Sequence, residues 1–191
     1  MTPFLGGQIR NTHLGTTLAA THRSWGFPSD NELQWLLDQS VNGNALWPIS
    51  GATVRFDGPT FDLDHEAERA LTFRAEDRGD VIDLIAWQPR RGALASWRGQ
   101  AFCLGDVDDI FNPATYFAGD ALRVHAMPLD WLLADRDGIV IVQPDLAPAY
   151  LQNCQRIRCS NAAHGRQVEK WLQPHKPKVD ILVEVKEKAA A

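Results

Sequence analysis

The sequence of 191 residues lacks any long hydrophobic run, and it contains only three cysteines. Its longest apolar segments are 81–87, which Asp83 interrupts, and 139–142, and both are far shorter than the ~18 residues of a membrane-spanning helix. The first 25 residues show neither the basic start nor the apolar stretch of a secretory signal. An odd and small number of cysteines provides no disulfide framework. We therefore expect a cytoplasmic protein without membrane contact.

The common nucleotide-binding and hydrolase signatures are also absent. The sequence has no phosphate loop, no Gly-x-Gly-x-x-Gly, no His-Glu-x-x-His and no Gly-x-Ser-x-Gly. Lysine is confined to the end of the chain, where all five lysines lie between Lys170 and Lys188. The net charge of −5 argues against general electrostatic binding of nucleic acid. A local nucleic-acid contact by the basic C-terminal segment is the alternative, because residues 156–191 carry eight basic and four acidic side chains.

The apolar pattern predicts an α+β fold with one globular domain over residues 30–175. We expect an extended N-terminal arm over 1–29 and a charged C-terminal tail over 176–191. Ser29 or Asp30 is a typical helix N-cap. Short alternating segments between residues 50 and 104, separated by glycine-containing turns, predict an antiparallel β meander.

After the meander, helical and strand segments alternate and predict a small α/β unit with a parallel sheet. Ile139–Val142 is entirely apolar, which is typical of a strand that is buried on both faces. The most regular segments also predict which side chains form the core. These side chains are Leu84, Ile85, Trp87, Phe102, Trp131, Ile139, Ile141 and Leu172.

One motif indicates phosphodiester hydrolysis. Asp145, together with Glu184 and Lys186 near the C-terminus, resembles the PD-(D/E)xK nuclease signature. In that signature two carboxylates hold a divalent cation and the lysine assists the attacking water. The sequence departs from it, because a predicted strand and helix separate Asp145 from Glu184 and only five residues follow Lys186. A metal-dependent nuclease, or another phosphodiester hydrolase, is therefore the alternative function.

A second motif contains residue types that bind zinc. Cys154, Cys159, His164 and His175 could close a tetrahedral site, but they lack the usual Cys-x2–4-Cys spacing. Buried free cysteines are common core residues. We therefore expect reduced cysteines, no bound metal and no cofactor, and we keep the zinc site as the alternative.

Acidic clusters and one thiol admit further chemical interpretations. The clusters could bind a metal, but such runs are more typical of turns and helix N-termini, where carboxylates offset the helix dipole. Cys103 could form a nucleophile–base pair with His125 or His65, although nothing in the sequence places them together. The two acidic clusters are Asp62, Asp64, His65 and Glu66, and Asp106, Asp108 and Asp109.

The seven tryptophans divide into two groups. Most occupy predicted strands or helices and are expected in the core, where a ring can be buried with its N–H bonded. Trp25 and Trp47 instead lie in predicted loops, beside Gly26 and Pro48. Loop aromatics of this kind can form a binding surface for a partner. Trp25 and Trp47 are therefore the predicted binding residues.

Three segments resemble uncharacterised proteins that are encoded in prophages and in bacterial genomes rich in GC. They are Arg78–Trp87, Phe111–Phe117 and Leu122–Leu132. This resemblance implies a phage-type accessory protein, and it assigns no activity, cofactor or catalytic residue. We accordingly favour a non-enzymatic accessory or interaction protein of phage or mobile-element origin. Its expected partner is another protein or a second copy of the chain.

Overall fold

The computed structural model describes residues 12–173 and 180–183, which form two β-sheets with flanking helices. The first part of the chain contains α1 (Thr12–Ser24), α2 (Asp30–Asp38), β1 (Ser50–Asp57), β2 (Thr60–Leu63), β3 (Glu68–Asp77), β4 (Asp80–Gln88) and β5 (Ala93–Ser96). The second part contains β6 (Cys103–Leu104), α3 (Asp108–Phe111), β7 (Leu122–His125), α4 (Pro128–Leu133), β8 (Ile139–Ile141), α5 (Ala147–Leu151), β9 (Arg156–Cys159), α6 (Ala162–Leu172) and β10 (Asp180–Val183). Within these described ranges, no helix is long and apolar enough to cross a membrane.

The first sheet is a closed five-stranded barrel in the order β1-β2-β5-β4-β3, so the predicted plain meander is wrong. β1 pairs antiparallel with both β2 and β3, and the chain then continues through β4 to β5. The barrel closes where β2 and β5 run parallel, at the pair Thr60 and Ser96. Alternation of apolar residues predicts strands but carries no information about this last pairing, which depends on residues far apart in sequence.

The N-terminal stretch contains the helix α1, whereas the sequence analysis predicts an extended arm there. Tertiary contacts hold this helix on the barrel. Leu18 is buried in the cluster formed by barrel side chains. His22 is fully buried, its Nε2 donates to the Thr72 carbonyl oxygen at 3.0 Å, and its Nδ1 faces the Ser50 hydroxyl at 3.5 Å. Burial lowers the pKa of His22, which keeps the ring neutral.

α2 begins at the predicted N-cap. The Ser29 hydroxyl accepts a hydrogen bond from the Glu32 N–H, and the Ser29 N–H donates to the Glu32 carboxylate at 2.6 Å. This reciprocal capping box satisfies two N–H groups that have no partner within the helix. Glu32 also pairs with Arg69 of β3 at 3.1 Å, which ties the start of α2 to the barrel.

The second sheet has the order β10-β9-β7-β8-β6. β7, β8, β9 and β10 are parallel, and β6 is antiparallel to β8 at one edge. Ile139 and Ile141 lie in a cluster with residues of α5 and α6, whereas Val140 and Val142 lie in a different cluster with barrel residues. Both faces of β8 are therefore buried, as the apolar run predicts.

One hydrophobic cluster joins the two sheets. It combines Phe73 and Trp87 of the barrel with Trp131 and Leu132 of α4 and with Val140 of β8. All eight side chains that the sequence predicts in the core are buried, with no more than 7% of any of them exposed. The regular segments therefore identify the core correctly, although they do not predict how the sheets meet.

A buried carboxylate fixes the loop between the sheets. Asp83 on β4 is fully buried, and its oxygens accept hydrogen bonds at 2.8 to 3.3 Å from four backbone N–H groups. The donors are those of Leu84, Arg98, Gln100 and Ala101. The last three belong to the loop that leads from β5 to β6. Charge-assisted bonds of this kind are roughly twice as strong as neutral ones.

We predict that Asp83→Asn lowers the free energy of unfolding by about 2–3 kcal/mol. The amide replaces one acceptor oxygen with an N–H donor, which leaves loop N–H groups facing a donor. Urea denaturation measures the change. Asp62→Asn, an exposed aspartate on β2, is the control and should change stability by less than about 0.5 kcal/mol. Equal stability of the two variants would contradict the role of Asp83.

Trp131→Ala should cost about 3–5 kcal/mol, since it removes a large buried ring from the cluster that joins the sheets. Trp131 is 5% exposed, and its indole N–H donates to the Gly138 carbonyl oxygen at 2.9 Å. Trp47→Ala is the matched control, because that ring is 67% exposed. A loss below about 1 kcal/mol for Trp131→Ala in chemical denaturation would contradict the packing described here.

Candidate binding surface

Two aromatic side chains project into solvent beside each other. Phe27, in the loop between α1 and α2, is 74% exposed, and Trp47, in the loop before β1, is 67% exposed. Their ring centroids lie 6.3 Å apart, within the range of interacting aromatic pairs. We call Phe27 and Trp47 the aromatic pair. Large apolar side chains clustered at the surface often mark an interaction site.

The two tryptophans that the sequence predicts as binding residues lie in different surroundings. Trp25 is half-buried and packs edge-on against Trp97 and Phe61, with centroids 5.3 and 6.2 Å away. Trp47 is exposed and contacts Phe27 instead. The structure therefore groups Trp25 with the barrel core. Phe27 is not among the binding residues that the sequence predicts. Its position after Gly26 in a predicted loop is the only feature of the sequence that indicates exposure.

A cleft of about 250 Å³ lies where the barrel meets the second sheet. Pro48, which follows Trp47 directly, forms one wall, and Phe73 of β3 and Trp131 of α4 form the others. Ligand sites commonly lie at such junctions between structural units. We call this site the arginine cleft, because Arg74 and Arg136 also line it.

Arg136 is held in place by the residues around it. Its guanidinium group stacks over the Trp131 ring at 5.2 Å, and its Nε–H donates to the Ala45 carbonyl oxygen at 2.9 Å. Burial lowers the pKa of Arg136, while the charge of Glu76 acts in the opposite direction. The side chain therefore has a fixed orientation in a partly desolvated site.

Two donors in the cleft have no acceptor. The Nη2 atom of Arg136 and the Nε atom of Arg74 are both buried and make no hydrogen bond to the described residues. Nor do these arginines form an ion pair within 4.0 Å anywhere in residues 12–173 and 180–183. A buried donor without an acceptor is costly. Both arginines therefore keep a donor that no described residue satisfies.

Three carboxylates also line the cleft. Glu76 lies on β3, Asp106 lies two residues before α3, and Asp109 lies in the first turn of α3. Burial, and then the neighbouring charges of Asp106, Asp137 and Asp108, raise the pKa of Asp109. The cleft thus carries both signs of charge, and no ion pair within 4.0 Å joins the charged residues that line it.

The described part of the chain contains one of the three predicted nuclease residues. Asp145 is exposed in the short 3-10 helix Pro144–Leu146 that follows β8. Glu184 and Lys186 lie outside the described residues. The structure therefore shows the position of Asp145 alone among the three residues of the nuclease-like motif.

Three of the four predicted zinc ligands lie in and around the second sheet. The Cys154 sulfur lies 2.8 Å from the Tyr116 hydroxyl, Cys159 is buried on β9, and the His164 ring packs against Trp171. His175 lies outside the described residues. Across residues 12–173 and 180–183, no three His, Cys, Asp or Glu side chains are placed to hold a metal ion.

The remaining candidates have structural contacts. Cys103 is buried on β6, where burial raises its pKa, whereas His65 is exposed and the His125 ring bonds to the Asp137 carbonyl oxygen at 2.8 Å. In the acidic clusters, Asp64 accepts from the Glu66 N–H, and Asp106 accepts from the Asp108 N–H. These bonds are typical of turns and helix starts.

Comparison with known proteins yields no match: no protein-family model matches the sequence, and no curated protein or solved structure shows significant similarity to it. The aromatic pair and the arginine cleft are therefore the features from which a function can be inferred.

We predict that the purified protein carries no stoichiometric zinc and that its thiols react slowly in the native state. Burial raises the pKa of Cys159 to about 11 and also raises that of Cys154, so both remain thiols near pH 8, whereas zinc and alkylating agents require the thiolate. Elemental analysis and iodoacetamide labelling with and without urea are the measurements. One zinc per chain that is lost in Cys159→Ser would contradict this prediction.

Proposed function

We propose that this protein is a non-enzymatic interaction protein that binds a short segment of a partner polypeptide at the aromatic pair. The observation that carries the proposal is the mutual contact of two aromatic rings that are 74% and 67% exposed. Aromatic side chains are enriched among the residues that dominate binding energy at protein interfaces. The resemblance to phage-type accessory proteins is consistent with such a role.

The surroundings of the pair favour a rigid recognition site. Phe27 precedes the buried Pro28 and the capping box that starts α2. Trp47 follows the buried Ala45, whose carbonyl oxygen is bonded to Arg136. Little conformational entropy is then lost when a partner binds, which increases affinity for a given contact area.

The size of the surface favours a peptide segment over a second copy of the chain. Exposed polar residues border Trp47 on its N-terminal side, at Asn42, Gly43 and Asn44. The aromatic pair itself consists of two side chains. A stable protein–protein interface buries about 800 Å² on each partner, which two aromatic side chains do not provide.

A random peptide library displayed on phage tests the proposal directly, with the full chain immobilised as bait. We expect the selected peptides to converge on a short motif with an apolar or aromatic residue. Trp47→Ala and Phe27→Ala should each lower the affinity for a selected peptide at least about tenfold, because they remove the contact surface. Peptide affinity is measured by fluorescence anisotropy.

Phe117→Ala is the matched control, since Phe117 is 79% exposed and lies in a different loop, between α3 and β7. Its affinity for the selected peptides should equal that of the parent chain. Failure to select a converging motif would overturn the proposal. So would binding that is insensitive to Trp47→Ala and Phe27→Ala. Concentration-dependent dimerisation in sedimentation equilibrium that Trp47→Ala abolishes would assign the surface to self-association instead.

A further inference from the structure

We propose that the arginine cleft binds the carboxylate of an aspartate or glutamate side chain in the same partner segment that contacts the aromatic pair. This inference deepens the proposed function and rests on it for the identity of the partner. The chemistry of the cleft can nevertheless be tested on its own.

Unpartnered donors are the first observation. Arg74 and Arg136 both line one cleft, and one buried N–H group of each has no acceptor among the described residues. Guanidinium groups are planar, permanently charged and rich in donors, and their geometry matches the two oxygens of a carboxylate. A carboxylate in the cleft would lie beside both guanidinium-bearing side chains and offer them acceptor oxygens.

The second observation is the backbone around Arg136. Asp135 and Arg136 both have positive φ angles, +52° and +67°, although neither is glycine. Such left-handed conformations are uncommon for side-chain-bearing residues and cost stability. The stacking on Trp131 and the bond to the Ala45 carbonyl oxygen then fix the guanidinium group. The turn thus presents Arg136 to the cleft in one orientation.

The charge and size of the cleft select among anions. Glu76, Asp106 and Asp109 line the same space, so a dianionic phosphate would be repelled more strongly than a singly charged carboxylate. The volume of about 250 Å³ is below the range of roughly 300–1,000 Å³ typical of small-molecule sites. A single side chain fits such a volume better than a nucleotide or a cofactor.

The position of the cleft connects it with the aromatic pair. Pro48 lines the cleft and is bonded to Trp47, and Arg136 donates to Ala45 in the same loop. A peptide bound on Trp47 therefore lies against the chain neighbour of one cleft wall. We expect its acidic side chain to lie close in sequence to its apolar anchor.

The test titrates the full ¹⁵N-labelled chain with N-acetyl-glutamate N′-methylamide, observing the indole N–H of Trp131 and the Nε–H of Arg136 by NMR. We expect saturable shifts with a Kd of about 1 mM for a ligand of this size. The glutamine analogue, which has the same shape and no charge, should bind at least about tenfold more weakly.

Arg136→Gln and Arg74→Gln should each weaken binding of the glutamate compound at least about tenfold. Arg90→Gln, at an exposed position outside the cleft, is the matched control and should bind as the parent does. Because Arg136 contacts Trp131, thermal unfolding is recorded for each variant, and Arg74→Gln provides a second test if Arg136→Gln does not fold.

Three outcomes would overturn the inference: no saturable shift with the glutamate compound, equal binding of the glutamine analogue, or tighter binding of inorganic phosphate. These outcomes are distinct from failure of the proposed function. A cleft that binds glutamate while no peptide motif is selected would refute the partner segment but not the carboxylate site. A selected motif without an acidic residue would refute the carboxylate site alone.

Discussion

The arrangement of the two sheets depends on the buried carboxylate of Asp83. It lies on a barrel strand, yet three of its four backbone donors belong to the loop that leads out of the barrel into the second sheet. Moving this loop would leave a full negative charge in the interior without donors, which is far more costly than losing an ordinary hydrogen bond. The path from β5 to β6 is therefore fixed, and β6 in turn pairs with β8.

The arginine cleft is a consequence of this fixed junction. Val140 of β8 and the following Val142 lie in the cluster with barrel residues, and in the same cluster Trp131 of α4 packs against Phe73. The edge of that cluster remains open beside Pro48, and the same Trp131 ring that closes the core supports the guanidinium group of Arg136. The charged groups of the cleft thus rest on a rigid apolar base, which keeps them in place without direct ion pairs.

Local signals in the sequence predict local features of this structure well. The capping box at Ser29 and the eight core residues follow from residue type and periodicity, which do not depend on the rest of the chain. Barrel closure at Thr60 and Ser96, the packing of α1 and the donors of Asp83 depend on contacts between distant residues, and sequence patterns do not encode them. The same distinction between local patterns and contacts of distant residues applies to the candidate site. Trp47 can be recognised in the sequence as a loop aromatic, whereas its contact with Phe27 and the cleft shared by Arg74 and Arg136 depend on the folded chain.

Two unusual features, an exposed aromatic ring and arginine donors without acceptors, occur at or beside one loop. The segment 45–48 carries an exposed ring at Trp47, which folding alone would favour burying, and borders a cleft in which two arginine donors lack acceptors. The carboxylate of Asp83 and the indole N–H of Trp131 are satisfied by hydrogen bonds, whereas Thr72 Oγ1 and His164 Nδ1 are, like the two arginine donors, buried without a partner among the described residues. Natural proteins tend to break such local rules at functional sites and compensate for them elsewhere. An exposed apolar anchor and unpartnered cationic donors are complementary to a ligand with an apolar group and an acidic group in close succession. A short acidic peptide segment has this combination. Its binding would cover the exposed ring of Trp47 and would bring acceptor oxygens to the arginines of the cleft.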